Sequence, residues 1–274
     1  MARQYEIVPG YFLQDNSEGD HEVVEPVPPF FALLSKSWSD FTGNVTRLAD
    51  SSAPGTTYKV LILGRHGEGY HNVAEEKYGE HAWNAKWSLL DGDGSFTWGP
   101  DPPLTPLGED QARRANAAWK TEISNGIPVP QRFYCSPMKR ALRTHELTFD
   151  GVFTEPRPTP VIVENCREEY GEHTCDKRRT RSEIHAEFPA FVFEEGFAEE
   201  DLLWTEVRET KQHVDTRAKH ILDMVFTKDV DATYISITAH SGLINGVLRV
   251  IGRGNYKLAT GGIIVVVVKG TLVE

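Results

Sequence analysis

Apolar residues along this chain fall into two rhythms. Short continuous apolar runs at 58–63, 132–135, 161–163, 233–238 and 263–268 predict strands covered on both faces. Between them the spacing is helical. A helix is expected to begin near His71. Thr105 as N-cap and Pro106 at the first helical position start another, which runs to about Ser124 and stops at Asn125-Gly126. Further helices are expected at 139–147, 183–187 and 243–251. A long amphipathic helix is expected over 207–226, with Val207, Val214, Ala218, Ile221, Leu222 and Val225 on one face. Strands alternating with helices predict an α/β fold, a three-layer α/β/α sandwich around a mostly parallel sheet.

Before this alternation lies a different kind of sequence. Residues 1–57 are punctuated by Pro26, Pro28, Pro29 and Pro54, which predicts an irregular N-terminal extension packed on the domain, with a short helix near 30–37. The domain itself is expected to span 58–274. It holds an aromatic-rich insertion at about 79–103, where Trp83, Trp87, Phe96 and Trp98 surround the turn sequence Asp91-Gly92-Asp93-Gly94. These rings are expected to form a small satellite core.

Charge narrows the partners. With 29 basic and 40 acidic residues the formal charge is −11, which argues against nucleic acid and anionic membranes as partners. Cys135, Cys166 and Cys175 are an odd number, which predicts free thiols in a reducing compartment. The N-terminus lacks the apolar core of a signal peptide, so the expected location is cytoplasmic.

The candidate chemistry sits at strand ends. The run Leu61-Ile62-Leu63-Gly64 leads into Arg65-His66-Gly67. Ligands of open α/β sheets bind at that carboxyl edge. An arginine there can grip phosphate with a planar fork, a histidine can act as nucleophile, and a glycine lets a ligand approach the backbone. Three more stretches follow predicted strands: Ser136-Pro137-Met138-Lys139-Arg140-Ala141-Leu142-Arg143-Thr144, Cys166-Arg167-Glu168-Glu169-Tyr170-Gly171, and Ala239-His240-Ser241-Gly242. One cleft could collect all four.

This set, in this order over roughly residues 58–268, resembles the histidine phosphatase superfamily, in its phosphoglycerate mutase-like branch. The stretch 171–179 resembles a fungal and plant mutase-like subgroup. The resemblance implies His66 as nucleophile, a phosphate pocket of Arg65, His66, Asn72, Arg140 and His240, and Glu168 as proton donor. Gly69 stands where the mutases carry serine, and Cys166 where they carry leucine. The spacing from Glu168 to Gly171 is one residue short, which leaves Glu169 as a second candidate acid. The acid-phosphatase branch fits less well, because it follows its last histidine with aspartate where this chain reads His240-Ser241.

His71, His173 and Arg178 are further candidates for the substrate end of the cleft. No cofactor is expected and no metal, since His173-x-Cys175 has no second pair at zinc-like spacing. The expected function is metal-independent hydrolysis of a small soluble phosphate monoester through a phosphohistidine. A phosphomutase or isomerase acting on a phosphorylated sugar or glycerate is the alternative, with Lys177, Arg178, Arg179 and Arg181 as its extra cations. A non-catalytic protein that binds a phosphorylated ligand is the third reading.

Overall fold

The computed structural model describes residues 2–15, 25–153 and 158–273. Seven strands form one sheet: β1 (Ala2–Ile7), β2 (Thr56–Arg65), β3 (Arg132–Cys135), β4 (Val161–Ile162), β5 (Val192–Phe193), β6 (Tyr234–Ala239) and β7 (Ile263–Val273). Their order across the sheet is β1-β7-β2-β6-β3-β4-β5. β7 runs antiparallel to both its neighbours, and the pairs from β2 through β5 are parallel. The eight helices are α1 (Trp38–Asp50), α2 (Tyr70–Tyr78), α3 (Glu80–Ala85), α4 (Pro106–Ser124), α5 (Lys139–Phe149), α6 (Arg181–Glu187), α7 (Lys211–Lys228) and α8 (Ser241–Val250).

The sheet is covered on both faces, so alternate residues of one strand serve different cores. Leu61 and Leu63 of β2 pack with Val266 and Val268 of β7 against Ala218, Leu222 and Val247 of α7 and α8. Val60 and Ile62 point the other way. They meet Val265 and Val267, with Trp38 and Phe41 of α1 and Trp119 of α4 above them. This is the α/β architecture that the alternation predicts. No helix among the described residues is long and apolar enough to cross a membrane.

Three expectations are corrected. The described residues before β2 hold a strand and a helix that the expected irregular extension did not include. β1 pairs residue by residue with β7 from Ala2↔Val273 to Ile7↔Val268, and α1 is a 13-residue helix capped by Ser37, whose hydroxyl accepts from the Asp40 amide. The helix expected at 30–37 is only a short 3₁₀ turn at Pro29–Ala32. The long helix begins at Lys211 instead of Val207, because the Thr210 side chain accepts from the His213 amide and caps it there. Val207 lies outside the helix and is 75% exposed. In the insertion, α3 and a 3₁₀ turn at Trp87–Leu89 bring Trp83 and Trp98 together with Ala74 and Cys175.

β1 protects the edge of β7. Its Tyr5 ring is buried 5.0 Å from Phe226, and the Tyr5 hydroxyl donates to Asp223 at 2.7 Å. Deleting residues 2–7 should lower stability by about 3–5 kcal/mol, the usual cost of losing a buried aromatic, and leave a β-branched edge open to self-pairing. Urea unfolding with light scattering measures both. An unchanged midpoint would show that β1 adds nothing to the fold.

Candidate active site

The carboxyl ends of β2 and β6 open onto one cavity of about 750 Å³. The ladder itself fixes the first histidine. The His66 amide donates to the Ala239 carbonyl (3.0 Å), one step past the last β2–β6 pair. His66 is 1% exposed, and its Nδ1 lies 2.6 Å from the Gly67 carbonyl. That contact places the ring proton on Nδ1 and leaves a lone pair on Nε2.

Two glycines hold the turn. A Cβ on Gly67 would lie 2.2 Å from the Gly108 carbonyl oxygen, and a Cβ on Gly108 would lie 2.0 Å from that of Glu68. The start of α4 is thus pressed directly onto the Arg-His-Gly backbone. Thr144 of α5 closes the other side. Its hydroxyl accepts from the Gly67 amide (2.9 Å) and donates to the Arg140 carbonyl (2.7 Å).

Arg65, His66, His71, Asn72, Glu168 and His173 all border the cavity. The Asn72 side-chain oxygen accepts from the Gly69 amide (3.0 Å). Gly69 is explained by His71, since a Cβ there would meet its Nδ1 at 2.7 Å. The His240 ring lies 5.0 Å from that of His66, with its Nε2 2.7 Å from the Ser136 hydroxyl. Arg140 is placed differently from expectation. It is fully buried beneath the site, and its fork already donates to the Cys175 carbonyl and to Asp176 Oδ1, each at 2.9 Å.

Arg178 is not at the site. It is buried, and its guanidinium donates to Glu164 (3.0 Å) and to the carbonyls of Arg179, Ala198, Glu199 and Glu200. All three of its nitrogens are engaged by Glu164 and by these carbonyls, so none remains for substrate. Its neighbours also point to other partners. Arg179 pairs with Asp101 and Glu187, and Lys177 and Arg181 lie over Trp204 and Phe193. The basic run expected to serve a mutase lies outside the cavity.

The two candidate acids have distinct surroundings. Glu168 accepts from the Gly242 amide (3.1 Å) and the Glu169 amide (2.9 Å). A Cβ on Gly242 would lie 2.1 Å from a Glu168 oxygen, which accounts for glycine in the His-Ser-Gly stretch. Glu169 is bound by cations instead, with Arg208 at 3.5 Å and Lys211 in contact. Arg217 of α7 orients the loop between them. It donates to the carbonyls of Asn165, Arg167 and Glu168 and is itself held by Glu209. Arg208, Lys211, Arg217 and Ser136 escape a motif reading. Three of them come from a loop and helix remote in sequence from any of the four stretches, and Ser136 carries no signal beyond its place in one of them.

Electrostatics in this site are one-sided. Burial, and then the charges of Arg140 and Arg65, push the His66 pKa well below its ordinary value of 6.5. Burial and Arg140 do the same to His71 and His240. All three rings are therefore neutral near pH 7. Arg65 Nε, Arg140 Nε, His71 Nδ1 and His240 Nδ1 are buried with no partner. Buried polar nitrogens are seldom left so. The two guanidinium Nε–H groups lack an acceptor, and an oxyanion would supply one.

A cation fits less well. The ligand atoms of His173, Cys175 and Asp176 lie within 4.8 Å of one another. Asp176, however, already faces Arg140 and Arg208, each at 2.9 Å. Burial also pushes the Cys175 thiol well above its ordinary range, which disfavours the thiolate a metal needs.

The sequence of residues 61–260 matches the histidine phosphatase superfamily (branch 1), and the chain belongs to that family. It is 39% identical to a probable phosphoglycerate mutase of Arthroderma benhamiae, over 97% of this chain and 84% of that one. It is 36% identical to a probable phosphoglycerate mutase of Saccharomyces cerevisiae, over 96% and 95%. The fold is also that of a phosphoglycerate mutase structure from Bacillus anthracis (TM-score 0.51, 14% identity, 78% of this chain and 89% of that chain).

The neutral histidines predict acid sensitivity. Their pKa values are depressed only in the folded protein, so below about pH 6.5 the unfolded chain binds more protons. Stability is full above that pH and is lost as pH falls toward the folded values, by up to about 1.4 kcal/mol per pH unit for each ring. His71→Asn removes one such ring. Its stability should fall less steeply than the wild type's, by about 1.4 kcal/mol per unit between about pH 6 and 5. Urea denaturation at the two pH values gives the slopes, and equal slopes would mean that His71 titrates normally in the fold.

Proposed function

We propose that this protein is a metal-independent phosphatase that hydrolyses a small soluble phosphate monoester through a phosphohistidine. The observation that carries the reading is the group of partnerless buried nitrogens around His66. A phosphate ester brings about two negative charges and three acceptor oxygens to a place where two guanidinium groups lack acceptors and two neutral rings have an unpartnered nitrogen. Binding such a charge also opposes the fields that keep the histidines neutral, so His240 can gain a proton and donate it to a phosphoryl oxygen. Arg65, Asn72 and the Nε of Arg140 are assigned to the same oxygens. We assign residues 58–274 to the catalytic domain, and the three free buried cysteines fit a cytoplasmic setting.

His66 attacks through the Nε2 lone pair that its Nδ1 contact with Gly67 leaves free. The N–P bond forms as the bond from phosphorus to the leaving oxygen breaks, and Glu168 gives its proton to that oxygen. A water then attacks phosphorus and returns a proton to Glu168. The N–P bond breaks and inorganic phosphate is released. Charge spreads over three equatorial oxygens in each step, so fixed cations do most of the stabilisation. Glu168 takes this role over Glu169 because no cationic side chain holds its carboxylate, whereas Glu169 is held by Arg208 and Lys211.

The names of the fungal relatives favour a mutase as the second reading. A mutase must hold a second anionic group, and the basic run 177–181 does not reach the cavity. Interconversion of the two monophosphoglycerates, measured beside phosphate release, separates the two readings.

Three outcomes are expected. His66→Ala should release no phosphate from an aryl ester and should carry no acid-labile phosphate after quenching. Retained turnover would remove the phosphohistidine from the mechanism. Glu168→Gln should slow an alkyl phosphate by about 10²–10⁴-fold but give an initial burst of nitrophenol from an aryl phosphate, since that leaving group departs unprotonated. If Glu169→Gln shows this pattern instead, Glu169 is the acid. Activity should persist in excess EDTA. Loss that Zn²⁺ restores would point to His173, Cys175 and Asp176.

A further inference from the structure

The phosphate occupies only part of a cavity of about 750 Å³, and the wall beyond it has its own chemistry. α2, α3 and the turn after Gly171 bring Glu75, Glu80 and Glu172 to that wall. None of the three has an ion pair or a side-chain hydrogen bond among the described residues. The turn that presents Glu172 is costly in conformation. Gly171 (φ +81°) and Glu172 (φ +59°) are both left-handed, and for a non-glycine residue that region is unfavourable. The turn is clamped in place: the Glu172 amide donates to the Thr205 carbonyl at 2.8 Å, and a Cβ on Gly171 would lie 2.1 Å from the Val207 carbonyl oxygen. A strained residue held this firmly, with its carboxylate on a cavity, is a mark of a recognition element.

A second observation on the same wall points to a ligand. His71, one turn before Glu75 on α2, is nine-tenths buried and lines the cavity, yet its Nδ1 has no hydrogen-bond partner among the described residues.

Most cations bordering the cavity are paired with other acids. Arg208 is shared between Asp176 and Glu169, Lys211 is on Glu169, and Arg249 is held by both oxygens of Asp215. Arg65, assigned to the phosphate, acts on Glu75 from a distance without pairing with it, and Lys257 also lines the cavity. A carboxylate or second phosphate on the substrate would meet three carboxylates there, none of them in an ion pair. A hydroxyl or ammonium group would meet three acceptors.

We propose that the alcohol released by this enzyme carries no negative charge and is rich in hydrogen-bond donors, a polyol or an amino alcohol, and that Glu75, Glu80 and Glu172 select it. The assignment deepens the phosphatase reading and rests on it. It also makes phosphoglycerate, whose carboxylate would face this wall, a poor substrate.

The test is the ratio of kcat/KM for glycerol 3-phosphate and for phosphoethanolamine to that for 3-phosphoglycerate. The ratio is read within each protein, so that a general loss of activity cancels. Wild type should prefer at least one of the first two by tenfold or more; preference for only the phosphoethanolamine arm identifies an amino alcohol, and for the glycerol arm a polyol. In the E75Q/E80Q/E172Q protein the preference should shrink at least fivefold. A wild type that favours 3-phosphoglycerate, or a triple variant with an unchanged ratio, overturns the proposal. Calorimetric affinities of the same three esters for the His66→Ala protein read selectivity without turnover. Tenfold selectivity there in a wild type that hydrolyses no ester, aryl phosphate included, would overturn the phosphatase reading alone. Equal affinities beside normal aryl phosphate hydrolysis would overturn the assignment of this wall alone.

Discussion

Arg140 is a guanidinium with no exposed surface, and Asp176 is the carboxylate that makes its burial tolerable. An unpaired buried charge is costly enough that breaking such a pair usually outweighs any other single loss. Burial alone pushes the Asp176 carboxyl up, but Arg208 and Arg140 together hold it below the usual carboxylate range. The pair joins α5 to the 174–176 turn. Through Arg208 it continues to the Gly171 carbonyl and to Glu169. The loop that carries the acids is thus fixed to the helix that carries the buried cation, and the position of each half of the site depends on the other.

The same buried charge sets the state of the histidines. Arg140 is the foremost electrostatic influence on His66, His71 and His240 after burial itself. A ring that attacks must be neutral, and in the proposed reaction the field that keeps His66 neutral is also the field that would draw in the phosphate. Binding and activation would then come from one arrangement of charge, supplied by planar, permanently charged forks.

Close backbone approaches supply the precision. Gly67 against Gly108, and Gly242 against the Glu168 carboxylate, leave no room for a side chain. They bring a helix start, a nucleophile turn and an acid to separations that larger residues would forbid. Arg217 of α7 holds the carbonyls of Asn165, Arg167 and Glu168 in the acid loop and so passes the rigidity of a core helix to Glu168. The chemistry beyond the phosphate is set by different elements, α2, α3 and the turn after Gly171, which belong to or pack beside the aromatic insertion. On the proposed reading, family membership and substrate choice are written on different parts of the fold.

Sequence by itself determined the central strands, because residues buried on both faces of a parallel sheet must be continuously apolar. It determined the start of α4 through Thr105-Pro106, and the four strand-end stretches, because tight turns and phosphate chemistry demand particular residues at fixed spacing. It did not reveal β1, which is exposed on alternate positions, has no apolar run, and is a strand only because β7 offers it a partner edge. It misplaced the start of α7, since the apolar periodicity continued to Val207 while the Thr210 cap ended the helix first. Arg178 looked like a ligand and proved a structural tie, and Arg140 looked like an open fork and proved a buried one. Charge in a sequence says that a cation exists. Only tertiary structure decides whether carbonyls and carboxylates have already taken its donors, because those partners come from segments far apart in the chain and meet only when the core has formed.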